Sequence, residues 1–195
     1  MPIHPLTEGE VLQKLSYAGR RLRDMRTLNF GQFAGAPVAE KRQLGEEFFF
    51  HLIGAVELTA QFVNAACNLG LAADCVTMSE VLKRLTQAPE LKATLSALHA
   101  SPWRDPMPSD PYSPAGLVYR AWNYRHQVTH RQANPYVFRV GDLPEVSFEL
   151  DPRESEVTPS ALSLWDEMDA MFSIVSSGCS RAMSLARRGS PAQSP

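Results

Sequence analysis

One segment restricts the fold more than any other. Residues 40–69, EKRQLGEEFFFHLIGAVELTAQFVNAACNL, are the most apolar long stretch of the chain. Their apolar side chains go most of the way round a helical wheel, the pattern of a helix packed on several sides. Gly70 follows as the expected C-cap. A buried helix of this length needs other amphipathic elements around it, and the remaining segments supply them.

Residues 8–30 place Val11, Leu15, Ala18, Leu22, Met25 and Leu28 at three- and four-residue steps, with Arg20, Arg21, Arg23 and Arg26 mostly on the wet side. GQFAGAP then breaks the helix. Residues 78–87 and 89–100 read as two short helices, started by Thr77 or Ser79 and by Pro89. SPWRDPMPSDPYSP holds five prolines in fourteen residues, so it is an irregular surface connection, with Trp103 pinning it to the body. Ser113-Pro114 opens a helix running to about Arg131, and Asn134-Pro135 ends it. YVFRV and VSFEL, joined by GDLPE, alternate as a hairpin would, within residues 136–150. Thr158-Pro159 opens a last helix to about Arg187, whose inner face is Leu162, Trp165, Met168, Phe172 and Val175. The predicted fold is therefore mainly all-α: a helical bundle of five or more helices with one small β-hairpin before the C-terminal helix. Residues 1–188 form a single domain, and 189–195 a polar, disordered tail.

Composition narrows the function classes. A chain of 195 residues with 44% hydrophobic and 21% charged residues is long enough to bury one core and reads as globular. A net charge of -2 argues against a protein that coats nucleic acid or an anionic membrane. No apolar run reaches the length of a membrane span, and MPIHPLTEGE lacks a signal-peptide pattern. Cys67, Cys75 and Cys179 are odd in number, without a CxxC pair or zinc-ligand spacing, and read as buried thiols in a reducing cytoplasm.

The chemistry concentrates in WNYRHQVTHR, residues 122–131. On a wheel of about 100° per residue, Leu117, Ala121, Tyr124 and Val128 form the core face. Tyr119, Asn123, His126 and His130 fall opposite, and Arg125 and Thr129 lie on one flank beside Trp122. From Pro111 to Gly141 there is no Asp or Glu, yet Arg120, Arg125, Arg131, Arg139 and both histidines are there. Such a basic strip suits a phosphate. His exchanges a proton near neutral pH, and Arg holds a phosphoryl oxygen without losing its charge. Those two functions suffice for metal-free RNA cleavage: one group moves the 2′-OH proton, another neutralises charge developing on phosphorus.

The spacing Arg125-His126-x-x-x-His130, near the end of a late helix in an all-α chain, resembles the motif of the HEPN superfamily: an Arg, a polar residue, and a His four to six residues after the Arg. The resemblance covers six residues of motif and, in architecture, residues 8–188. It implies a metal-independent endoribonuclease with a role in RNA processing, as a toxin or in phage defence, in which two domains pair so that both motifs face one cleft. It also admits an inactive relative serving as a dimerisation, nucleic-acid or nucleotide binding module. By this resemblance Arg125 and His130 are the catalytic residues. His126 and Asn123 would orient the site, with Glu47, His51 or Glu57 of the central helix in support. Arg120 and Arg131 would bind RNA. The expected partners are a second copy of the chain, RNA and an antitoxin or other protein, with no cofactor and no membrane.

Other readings compete. His126 and His130 are spaced i, i+4, as metal ligands can be, but no HExxH occurs and the third ligand would have to be His51 or Glu57 through space. No metal is expected. Glu47, His51, Glu57, Gln61, Asn64 and Asn68 form a polar stripe on the central helix, explained either by interhelical hydrogen bonds or by a cleft on its N-terminal half. The FFF of 48–50 reads as core. Trp103 and Trp122 look exposed and, with the long apolar helix, could make a dimer surface.

Overall fold

The structure, a computed structural model, describes residues 7–27, 37–129, 136–139, 145–154 and 156–189. Its elements are α1 (Glu8–Thr27), α2 (Pro37–Ala66), α3 (Met78–Arg84), α4 (Pro89–Ala97), α5 (Pro114–Thr129), β1 (Tyr136–Arg139), β2 (Glu145–Phe148) and α6 (Leu164–Gly189), with a 3-10 turn at Ala73–Cys75. The strands pair antiparallel, Tyr136 opposite Phe148 and Arg139 opposite Glu145. The expected helical bundle with a small ribbon before the last helix is the architecture observed. Leu28 and the tail 190–195 lie outside the described residues.

The central helix is α2, which packs against α1, α3, α5 and α6. By length and composition Arg42–Ala66 is the one described helix that could cross a membrane, contrary to the sequence expectation that no run is long enough. It forms the middle of the core instead: Phe48, Phe49, Leu52, Ile53, Val56 and Val63 are all buried. Phe50 departs from the expected FFF core, since it is 52% exposed and lies under the Lys14 ammonium, 4.5 Å from its ring centre. On α1 the predicted stripe is buried from Val11 to Met25.

Helix ends show the expected chemistry with two shifts. Thr77 Oγ1 accepts the Glu80 amide at the start of α3, and Ser113 Oγ accepts the Gly116 amide at the start of α5. The end of α2 is set by Asn68 rather than Gly70. Asn68 takes the left-handed conformation at φ 50°, and the Leu69 amide reaches back to the Asn64 carbonyl. The Asn64 side chain then holds the Leu71 amide and carbonyl at 3.1 and 3.0 Å. Asn64 and Asn68, at the C-terminal end of the polar stripe, thus serve to terminate the helix. Helix α6 begins at Leu164, not at Thr158: Ser163 caps it by accepting the Asp166 amide, and residues 158–160 run extended beside the end of β2, with the Ser160 amide on the Phe148 carbonyl at 2.7 Å. Its buried face centres on Leu164, Met168, Met171, Val175 and Cys179, so Trp165 and Phe172 flank that face rather than lead it.

Candidate functional site

Helix α5 is two things end to end. From Gly116 to Tyr124 every residue is buried, on all sides of the helix. Beyond it Arg125, His126 and Val128 are half-buried, Gln127 is still buried and Thr129 is exposed. The wheel's division into a core face and a polar face fails over the first half, because α2, α4, α6 and the segments around 102–105 and 149–153 close over it.

Arg120 therefore cannot serve as an RNA contact, as the sequence suggested. It is fully buried and pairs at 2.5 Å with Glu167 of α6, itself fully buried. The guanidinium also donates twice to the Tyr124 hydroxyl, at 3.0 and 2.6 Å, and that hydroxyl donates to the Glu149 carbonyl at 2.8 Å. Burial pushes the Tyr124 hydroxyl well above its usual range. Burial also holds the Glu167 carboxyl high, against the pull of Arg120, Ser160 and Tyr124. The Tyr124 ring stacks on Phe148 at 4.5 Å and meets Phe49 edge-on, tying β2 and α2 to the same polar core.

Asn123 is also displaced from its expected role. Its side chain is buried and donates to Asp151 Oδ1 at 3.0 Å. Asp151 in turn accepts the Arg153 amide and guanidinium. Burial raises the Asp151 carboxyl, but the bonds from Arg153 and Asn123 outweigh it and leave it below the usual carboxylate range. Arg153 lies over the Tyr119 ring at 5.3 Å and bonds the Pro102 carbonyl, while the Tyr119 hydroxyl donates to the Asp105 carbonyl at 3.0 Å. This clamp fixes the proline-rich connection to α5. Asp151, Arg153 and Glu167 escaped the sequence reading; the D-P-R triplet was a local signal for the first two, and nothing local signals the third.

Arg125 and His126 stand where a site could be. Arg125 Nη2 is 3.4 Å from Glu57 Oε1 of α2, and its buried Nε–H has no hydrogen-bond partner among the described residues. The His126 ring lies 5.4 Å from the Trp103 ring at a 31° tilt. Trp103 is 50% exposed, as expected, whereas Trp122 is buried with its indole N–H on the Leu98 carbonyl at 2.9 Å, so it offers no dimer surface. His130 and Arg131 lie outside the described residues.

Of Glu47, His51 and Glu57, it is Glu57 that pairs with Arg125 of the motif. Glu47 pairs with Arg21 of α1 at 2.5 Å, and His51 packs on Tyr17 of α1 at 5.2 Å. The polar stripe therefore splits between two neighbours, α1 and α5. Burial, with Lys14 alongside, lowers the His51 pKa. Among the described residues no three His, Cys, Asp or Glu side chains come together as metal ligands.

Beside Glu57 opens a cleft of about 620 Å³ between α2, α3 and the connection after α4, lined by Gln61, Lys83, His99, Trp103, Arg104 and Trp122 among others. Arg125 and His126 stand at its edge through Glu57 and Trp103. No family model, curated protein or solved structure matches the chain.

Proposed function

We propose that the protein is a HEPN-like, metal-independent endoribonuclease that acts through Arg125 and His130 at a cleft shared by two copies of the chain. The observation that carries this reading is the contrast between two arginines five residues apart. Arg120 is fully buried against an equally buried Glu167, while Arg125 is held at the partly exposed end of the same helix by one long contact, 3.4 Å to Glu57. Glu57 holds the guanidinium through Nη2 and leaves the side chain partly exposed, so a phosphate can replace or share that contact. His130 stands four residues after His126 in sequence and supplies the proton transfer. Arg125 stabilises the charge that grows on phosphorus as the 2′-oxygen attacks. Arg131 remains as a further RNA contact; Arg120 does not.

The test is incubation of the purified full chain with mixed RNA in EDTA. The expected result is cleavage leaving 2′,3′-cyclic phosphate ends. Arg125→Ala and His130→Ala should each lower the rate by about 10²–10⁴-fold with an unchanged circular-dichroism spectrum. Arg125→Lys should restore little, since Lys lacks the planar fork. Light scattering should report a dimer. Cleavage by both Ala variants at the wild-type rate refutes the assignment, and intact RNA at every protein concentration favours the alternative, a non-catalytic binding module.

A further inference from the structure

We infer that the cleft beside Glu57 takes one unstacked base of a single-stranded RNA, with Trp103 as its stacking platform and Arg104 at the adjoining phosphate. This rests on the RNA-directed reading of Arg125 and adds the form of the substrate: unpaired RNA, gripped next to the motif.

The cleft has the size of a small-ligand site, about 620 Å³. Its aromatic wall is Trp103, half exposed yet fixed. One reason is the His126 ring against it. Another is the loop that carries it, held by the Ser101 carbonyl accepting the Arg104 and Asp105 amides, by Arg153 on the Pro102 carbonyl and by Tyr119 on the Asp105 carbonyl. The loop already has polar anchors, and half of Trp103 remains open to a ligand. Other lining residues are tied down as well: Trp122 is tethered to the Leu98 carbonyl, and Ser79 Oγ lies 3.1 Å from His99 Nε2. A rigid aromatic face at the mouth of a polar cleft is the arrangement that binds unpaired bases, because every base has a π-face.

The charges fit a backbone passing from the cleft towards Arg125. Each of the two carboxylates in the cleft has a cation beside it: Glu80 pairs with Lys83 at 2.5 Å, and Glu57 lies 3.4 Å from Arg125. Arg104 is exposed and makes no ion pair among the described residues. Gln61 supplies an amide with both donor and acceptor for a base edge. A base seated on Trp103 would place the neighbouring phosphate beside the helix that carries Arg125 and His126.

The experiment measures fluorescence anisotropy of a labelled eight-nucleotide 2′-O-methyl single strand, which binds without being cleaved, titrated with the full-length protein at low ionic strength. Trp103→Ala should weaken binding by roughly 5- to 150-fold, the range for losing one stacked base. Trp103→Phe should retain most of the affinity, which rules out misfolding as the cause. Arg104→Ala should lower the slope of log affinity against log salt by about 1. Wild-type protein that does not bind the strand, a Trp103→Ala variant that binds it like wild type, or a blunt duplex that binds as tightly as the strand would overturn the inference. The two readings separate cleanly. Trp103-dependent binding with no cleavage of unmodified RNA sinks the nuclease and keeps the base site. Arg125-dependent cleavage with unaltered binding by Trp103→Ala does the reverse.

Discussion

Replacing Arg120 by Met tests whether that arginine belongs to the fold. Met fills much of the volume of the arginine stem and deletes the guanidinium. Glu167 then keeps a fully buried carboxylate without its 2.5 Å partner, and the Tyr124 hydroxyl loses two donors. Breaking a buried pair from one side costs about 3–5 kcal/mol, out of a total stability of about 5–15 kcal/mol. With a urea dependence of about 2 kcal/mol per molar, the unfolding midpoint falls by about 1.5–2.5 M. The loss should depend on pH. Burial raises the Glu167 carboxyl above its ordinary 4.5 even beside Arg120, and removing the guanidinium raises it further. A carboxyl raised in the folded state contributes stability that is full below the unfolded value and is lost as pH rises through the folded value. The variant should therefore fall further behind wild type at pH 8 than at pH 5. Urea melts followed by circular dichroism at both pH values provide the assay. Replacing both partners, Arg120→Met with Glu167→Leu, should recover most of the loss. A single variant within about 1 kcal/mol of wild type at pH 8, the cost of a surface pair, would refute the reasoning. So would a double variant no better than the single one.

Arg125→Ala should cost under about 1 kcal/mol, because its pair with Glu57 is long and partly exposed; a urea melt showing a loss as large as that of Arg120→Met would place Arg125 in the fold instead. Gly116→Ala should destabilise by about 2 kcal/mol or more, since an added Cβ would stand 2.4 Å from the Asp110 carbonyl oxygen and 2.6 Å from the Pro111 carbonyl carbon, backbone that cannot swing aside; thermal unfolding within about 0.5 kcal/mol of wild type contradicts it. Burial lowers the pKa of both His51 and His99 from 6.5. Stability from a depressed histidine is present above the unfolded value and is lost as pH falls towards the folded one, so the urea midpoint should drop between pH 7.5 and 5.5, and less so in His51→Gln. An equal drop in the variant removes His51 from the explanation.

The bundle was legible because α1, α2 and α6 carry long periodic apolar faces, and burial follows that period whatever the partners are. The site was harder to read because a wheel assumes one dry face and one wet face. Between Gly116 and Tyr124 the sequence GLVYRAWNY holds a single charge, and a helix with so little charge on any side is one surrounded by protein. That was the available signal that Arg120 and Asn123 point inward. The acid-free window from Pro111 to Gly141 also misled, since the acids that satisfy it come through space: Glu57 from α2, Asp151 from after β2 and Glu167 from α6. Pairings across 28 to 68 residues leave no local trace. The contact of Trp103 with His126 had none either, because an irregular proline-rich connection has no period from which a direction could be read.

The junction at Tyr124–Arg125 makes α5 behave as a cantilever. Its root is clamped by the Trp122, Asn123 and Tyr124 hydrogen bonds, and the turn bearing Arg125 and His126 continues from that root with fewer buried side chains. A beam transmits any tilt at its root to its tip in proportion to the distance between them. A small rearrangement around Tyr124 would thus displace the Arg125 head group more than it displaces anything in the core. Substitutions at Asn123 or Asp151 should then alter the last turn at a distance from it. Amide exchange would show the same division, slow from Leu117 to Tyr124 and faster from His126 to Thr129.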